Sequence, residues 1–293
     1  MTGRAPDTPS SVKAALAASG LSPLHRFGQN FLVEPGLLDR IAALSGVGPG
    51  DVVLEVGPGL GGLTERLLDA GALIVAVEID HGLARRLRET FAGEPRLRLI
   101  EGDVLAGGRA LDPRIGPALE AAKRETGAAG WSVAANLPYG VTSPFLLALL
   151  GPPGPPRRIT VMVQREVGDV LLARPGSDDY GTLSVASATY WRATRALAVG
   201  REAFYPRPDV ASAVMTLEPR EGDAPPPGPF LDFVRGLFQS RRKALRSSLR
   251  RMLGDDARVD AVLAAAGTAP EARADGVPPE TLAALFRASN SGV

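Results

Sequence analysis

From residue 51 onward the chain repeats one pattern, a short apolar run followed by an amphipathic stretch. The runs are "DVVLEVG" (51–57), "ALIVAVEID" (72–80), "LRLIEGD" (97–103), "WSVAANL" (131–137) and "ITVMVQ" (159–164). Each has the length of a strand and is built around an apolar stretch, which predicts strands buried on both faces. Helical spacing fills the gaps at 64–69, 82–91 and 144–150. Strand, helix and strand in succession make a parallel crossover, so the repeat implies an α/β fold, a Rossmann-like sheet with helices on both sides.

Past Gln164 the pattern changes. A helix is expected over "REVGDVLLA", a loop over "RPGSDDYG" and a second helix over "TLSVASATYW". Strand-like runs near 195–199 and 213–217 then form a closing pair, expected as an antiparallel edge. The Pro/Gly-rich stretch "REGDAPPPGP" (220–229) breaks any regular element and reads as a linker. Everything beyond it has helical spacing. The chain therefore divides into an N-terminal extension (1–24), partly flexible, an α/β domain (25–219), the linker and a small all-α domain (230–293). Segments 106–130 and 151–158 read as surface loops, the first with a helix inside.

Composition narrows the chemistry. The 293 residues include no cysteine, which excludes disulfides, thiolate metal sites and cysteine nucleophiles. His25 and His81 are the only histidines, too few for a multi-histidine centre; neither is given a role and no metal is expected. No run approaches the roughly 18 apolar residues of a membrane span, and "MTGRAPDTPSSVKAALAASG" lacks the apolar block of a secretory signal, so a cytoplasmic protein is expected. The net charge is only +1, yet Arg241, Arg242, Lys243, Arg246, Arg250 and Arg251 crowd into eleven residues that hold no acid. Contact with a polyanion is therefore expected to be local.

In "LEVGPGLGGLT" the glycines Gly57, Gly59 and Gly61 follow the first strand and precede a helix. Glycine there lets the backbone turn tightly and approach a ligand closely. Gly57, Gly59 and Gly62 also satisfy G-x-G-x-x-G, so the glycines leave NAD and S-adenosylmethionine both open. Glu78 ends the second strand, 21 positions after Gly57, where a carboxylate accepts hydrogen bonds from ribose hydroxyls. Asp103, after the third strand, is placed to accept from an adenine amine. Together they point to a bound adenosine moiety.

The stretch "NLPY" (136–139) after the fourth strand suits chemistry on an exocyclic amine. Such a nitrogen is a poor nucleophile while its lone pair is delocalised into the base. The side-chain oxygen of Asn136 and the carbonyl of Leu137 supply two acceptors for its hydrogens, Pro138 fixes the turn, and Tyr139 offers a face for stacking. Methyl transfer to an amine so held needs positioning and electrostatics rather than a strong base.

In order along the chain stand "FGQNFL" (27–32), "LEVGPGLGGLT" (54–64), "VEID" (77–80), "GDVL" (102–105), "NLPYGVTSP" (136–144), "MVQREVGDVLLARPGSDDYGTLSV" (162–185), "FYPRPDVASAV" (204–214) and "FQSRRKALRSSL" (238–249). This series strongly resembles the bacterial 16S ribosomal RNA adenine dimethyltransferases of the KsgA/RsmA type. The resemblance implies a class I S-adenosylmethionine-dependent methyltransferase that dimethylates N6 of two adjacent adenosines near the 3′ end of 16S rRNA in the 30S subunit. It implies cofactor contacts at Asn30, Leu32, Gly57, Gly59, Glu78, Asp103 and Asn136, and a target-adenine site at Asn136, Leu137, Pro138 and Tyr139. Phe204 is implied as the aromatic on the base's other face. The chain departs from the usual "NLPYNIST" at Gly140 and Val141, and 106–130 reads as an insertion.

Arg242, Arg246 and Arg250 recur at helical spacing as one stripe. With Arg241 and Lys243 they are expected to contact the RNA phosphates, the all-α domain docking a folded ribosomal surface. A monomer is expected. Three rivals stand beside this expectation. A NAD-dependent oxidoreductase explains the glycines and Glu78 but not "NLPY" or the basic stripe. A 23S rRNA adenine methyltransferase of the macrolide-resistance type shares the fold and chemistry. A non-catalytic ribosome assembly factor retains the fold without turnover.

Overall fold

A computed structural model describes residues 5–24, 28–241 and 243–291. Two compact units emerge, the first from residues 1–168 and 194–218, the second from 169–193 and 219–293.

The first unit is built on the expected strands, here β1 (Val52–Val56), β2 (Leu73–Glu78), β3 (Leu97–Glu101), β4 (Trp131–Asn136), β5 (Arg158–Gln164), β6 (Trp191–Val199) and β7 (Ser212–Pro219). They form one seven-stranded sheet in the order β3-β2-β1-β4-β5-β7-β6. β1 to β5 pair in parallel, and β7 runs antiparallel to β5 with Ser212 opposite Gln164. The two closing strands are neighbours at this edge of the sheet, as expected, and they enter out of sequence order: β7 lies next to β5, and β6 is outermost. β1 and β2 are buried at every residue and β4 and β5 at all but their ends, as their largely apolar runs require; β3, expected to be buried on both faces, is instead partly exposed at every residue because it ends the sheet.

Helices cover the sheet. α1 is Pro9–Ala18, α2 Pro35–Ser45, α3 Gly62–Asp69, α4 His81–Thr90, α5 Ile115–Thr126 and α6 Thr142–Ala148. α2 and α3 bury Leu37, Leu38, Ile41 and Leu67 against Val53, Ile74, Ala134 and Met162 of the sheet. α5 packs on β1 and β2; it is the helix expected inside 106–130, preceded by a small hairpin pairing Leu105–Ala106 with Ala110–Leu111.

The N-terminal segment differs from the expectation of a partly flexible extension. Thr8 caps α1, whose Val12, Ala15 and Leu16 are buried with Phe31, Val33, Leu60 and Leu83. Ahead of it the Ala5 amide donates to Glu65 (3.2 Å) and Asp7 pairs with Arg66 (2.5 Å). The apolar spacing of 12, 15 and 16 is one helical face, and it has a partner.

The second unit is helical: α8 (Thr182–Tyr190), α9 (Pro227–Phe238), α10 (Leu245–Leu253), α11 (Asp256–Ala265) and α12 (Pro279–Asn290), with α7 (Arg165–Leu172) leading into it. Residues 169–190, expected in the α/β domain, belong here instead. Val185 and Tyr180 are buried with Phe230, Leu249, Val262 and Phe286, and the Tyr180 hydroxyl donates to the Val277 carbonyl at 3.0 Å. α9 also starts at Pro227, inside the stretch expected as a linker, since proline is tolerated in a first helical turn.

Candidate active site

In the first unit the chain runs outward from β1 to β2 and β3, then crosses back to place β4 on the other side of β1. Such a reversal opens a crevice at the carboxyl ends of the two central strands. A cavity of about 400 Å³ lies there, within the range of small-molecule sites.

Its floor is the glycine turn after β1. Gly57 and Gly59 both take positive φ, and a Cβ on Gly59 would come within 3.2 Å of the Phe31 ring. With no side chain there, the Gly59 amide reaches Glu78 Oε2 at 3.1 Å. The other carboxylate oxygen of Glu78 accepts from the Asp80 amide at 2.9 Å. Burial pushes the Glu78 pKa up, and these two amides oppose that shift. Asp80 in turn caps α4 through the Gly82 and Leu83 amides and accepts from Gln29 Nε2 at 3.0 Å. The loop carrying Asn30 is tied in this way to the end of β2.

Asp103 uses Oδ1 to accept from the Leu105 amide at 2.9 Å, and its other oxygen has no partner among the described residues. Asn136, at the end of β4, donates from Nδ2 to the Asn30 carbonyl at 3.1 Å. That bond fixes which end of the amide is committed and leaves Oδ1 as an acceptor. The Leu137 amide donates to Met162 O at 3.1 Å, so its carbonyl is the group left to accept. Pro138 turns the chain, its carbonyl accepting from the Val141 amide at 3.2 Å and from the Thr142 hydroxyl at 3.3 Å. Tyr139 opens the short 3-10 turn Tyr139–Val141, half-buried, its hydroxyl 3.1 Å from Ser212 Oγ. Burial pushes its pKa up.

The structure thus brings Asn30, Leu32, Gly57, Gly59, Glu78 and Asp103 to one cavity wall together with Asn136, Leu137, Pro138 and Tyr139. Phe204 is the exception. It lies in the two-residue strand Phe204–Tyr205, paired antiparallel with Phe31–Leu32, and alternation turns adjacent side chains to opposite sides. Phe204 is 4% exposed among Leu32, Ala203 and Val214 and does not line the cavity, while Tyr205 packs towards α1 with Lys13 Nζ 5.0 Å from its ring centre. The ring that the resemblance implies for the base's other face is thus packed beside Leu32 here rather than on the cavity surface.

Glu55 is a cavity residue that the sequence reading missed. It lines the cavity from within β1, accepts from the Thr64 hydroxyl at 2.8 Å, and burial pushes its pKa up to about 8. A carboxylate inside the apolar run "VVLEV" was the signal that could have found it.

In the second unit the basic residues meet acids that the local sequence lacks. Arg246 pairs with Asp260 (2.9 Å) and Arg250 with Asp256 (3.2 Å), both from α11. Arg241 donates to the Asp178 carbonyl at 2.9 Å, Arg251 donates to the Gly236 carbonyl at 2.8 Å, and Lys243 is exposed. Arg242, like His25, lies outside the described residues. Exposed His81 meets Glu101 on the surface, and among the described residues no helix is long and apolar enough to cross a membrane.

Comparison with known proteins agrees with this geometry. The family model described as Ribosomal RNA adenine dimethylase matches residues 23–290. The Ribosomal RNA small subunit methyltransferase A of Deinococcus radiodurans is 40% identical over 282 residues, covering 96% of this chain and 90% of the relative. Its counterpart from Moorella thermoacetica is 38% identical over 283 residues, covering 96% and 97%. Among solved structures, the 23S rRNA methyltransferase ErmE is 28% identical with a TM-score of 0.61, covering 89% of this chain and 100% of that one. A dimethyladenosine transferase from Plasmodium falciparum shares the fold, with a TM-score of 0.69 and 23% identity over 87% of this chain and 95% of its own. A match that begins ahead of the sheet and ends in α12, carried by relatives of nearly the same length, means that this chain belongs to the ribosomal RNA adenine dimethylase family.

Proposed function

We propose that the enzyme dimethylates N6 of two adjacent adenosines near the 3′ end of 16S rRNA, with S-adenosylmethionine as methyl donor and the 30S subunit as substrate. The observation that carries this is the Asn136 amide, held by the Asn30 carbonyl so that Oδ1 and the neighbouring Leu137 carbonyl are, among the described residues, left to accept beside a cavity that also holds Glu78 and Asp103.

The donor fits the residues present. The glycine turn leaves room for a ligand against the backbone, Glu78 is a buried carboxylate with lone pairs for ribose hydroxyls, and the second oxygen of Asp103 suits an adenine amine. When bound, S-adenosylmethionine supplies an electrophilic methyl on its sulfonium. Asn136 and Leu137 hold the hydrogens of the acceptor amine and draw its lone pair out of the ring. Tyr139 stacks on the base, the apolar walls exclude water, and the amine's proton leaves to solvent after transfer.

The helical unit is assigned to RNA docking through Arg241, Arg242, Lys243, Arg246 and Arg250. The pairs of Arg246 and Arg250 are exposed ones, worth at most about 1 kcal/mol, so phosphates compete for both guanidiniums. A cytoplasmic monomer without a metal goes with this reading. The likeness to ErmE keeps 23S rRNA as a second substrate to test, and the higher identity of the small-subunit enzymes supports 16S. Calorimetry tests the donor: saturable binding of S-adenosylmethionine, weakened in Glu78→Ala, is expected, and tight NADH binding without it would remove the methyltransferase reading.

A further inference from the structure

Tyr139 has its backbone set by the Pro138 turn, so what orients its ring is a separate question. It follows a proline on a short 3-10 turn, its next neighbour Gly140 has open space where a side chain would be, and Phe204 does not reach the cavity to face it. What holds the far end of its ring is Ser212 Oγ, 3.1 Å from the tyrosine oxygen. Ser212 is 2% exposed and is the first residue of β7, seated opposite Gln164 in the antiparallel ladder, with the preceding Ala211 carbonyl taking the Arg165 amide at 2.9 Å. It is thus a rigid point of the sheet. Because Oη lies on the long axis of the ring, one hydrogen bond there sets where that axis points; a stacked base then settles rotation about it.

We propose that Ser212 is a positioning residue for methyl transfer: by anchoring the Tyr139 hydroxyl to the sheet, it fixes the ring on which the substrate purine stacks. This deepens the function proposed above and rests on it. Ser212 touches neither substrate nor donor. It acts on the orientation of the acceptor amine, so its loss slows the transfer step and leaves donor binding alone.

The test is single-turnover methylation of under-methylated 30S subunits at saturating S-adenosylmethionine, with donor affinity measured by calorimetry. Ser212→Ala is expected to slow transfer about three- to tenfold, the worth of one buried neutral hydrogen bond, with donor affinity and the KM for subunits within about twofold of wild type. Ser212→Thr, which keeps the hydroxyl, is expected to restore the rate. In a Tyr139→Phe background Ser212→Ala should cost nothing further, because the bond is already gone. If Ser212→Ala proves too unstable to assay, Ser212→Cys removes the strong hydroxyl at similar volume and enters the same cycle. An equal loss in both backgrounds, a parallel fall in donor affinity, or no change at all would overturn the proposal alone. No transfer by the wild-type enzyme would overturn the functional reading and this proposal together.

Discussion

The Asn136 side-chain amide and the Asn30 main-chain carbonyl, 106 residues apart in sequence, meet at 3.1 Å. The bond joins the loop ahead of the sheet to the end of β4 and settles the direction of the amide. An amide whose nitrogen is spent on a carbonyl has its oxygen left to accept, and Asn136 lines the cavity. Asn136→Ala removes the acceptor without disturbing the helical unit. Single-turnover rates are expected to fall by about 10²-fold or more, as for loss of one oriented polar group in an active site, with 30S binding in sedimentation assays retained. Equal loss of rate and binding would mark Asn136 as part of a structural turn.

Glu55 gives a signature in pH. Its carboxyl is raised from the usual 4.5 to about 8 by burial, so the folded chain holds its proton more tightly than the unfolded chain. The stabilisation is complete below the unfolded value and is lost as pH rises through the folded one. Between about pH 5 and about pH 8 the wild type should lose on the order of 3 kcal/mol from this group, and Glu55→Gln should lack that loss in urea unfolding. Parallel pH curves for the two proteins would show that Glu55 titrates normally.

Arg66 and Arg246 should separate by burial. The Arg66 side chain is 6% exposed and meets Asp7 at 2.5 Å, Glu65 at 3.1 Å and Asp39 at 3.2 Å. Removing it takes the guanidinium from Asp7 and Glu65, whose side chains are 15% and 18% exposed, while Asp39 stays hydrated at 64%, and Arg66→Ala should cost about 2–3 kcal/mol. The pair of Arg246 with Asp260 is half-exposed at both ends, and Arg246→Ala should cost under about 1 kcal/mol. Denaturant midpoints check both, and comparable costs would contradict the assignment of the N-terminal segment to the packed unit.

Arg246→Ala should act on RNA instead. If its guanidinium neutralises one phosphate, the dependence of 30S affinity on salt should weaken by about one unit of log–log slope. An unchanged slope would remove Arg246 from the docking surface.

The glycine that distinguishes this chain should be replaceable. A Cβ at Gly140 meets nothing within 4 Å and its φ is not in the left-handed region, so Gly140→Asn should leave stability within about 0.5 kcal/mol. At Gly59 the φ of +60° and the Phe31 ring, 3.2 Å from where a Cβ would stand, oppose any side chain, so Gly59→Ala should cost about 1–2 kcal/mol and weaken donor binding. Thermal unfolding with and without donor measures both.

These residues also show what a sequence can reveal. The sheet was legible because strands buried on both faces leave largely apolar runs, and the cavity because a glycine turn, Glu78, Asp103 and Asn136 stand at successive strand ends. Packing partners were not. Helical spacing at 182–190 announces α8 but not that its core is Phe230 and Phe286 rather than the sheet. An acid-free run of arginines conceals Asp256 and Asp260, which arrive from the next helix. The aromatic motif around Phe204 does not reveal that antiparallel pairing with Leu32 turns that ring into the core. Ser212 carries no local signal, since only the ladder brings β7 beside the turn after β4.

The decisive measurement is mass spectrometry of ribosomal RNA after incubating the enzyme with labelled S-adenosylmethionine and under-methylated 30S subunits. Label in N6-dimethylated adenosine at two adjacent positions near the 3′ end of 16S rRNA is the expected result. Label in 23S rRNA offered in the same reaction, or none in either RNA, would contradict it.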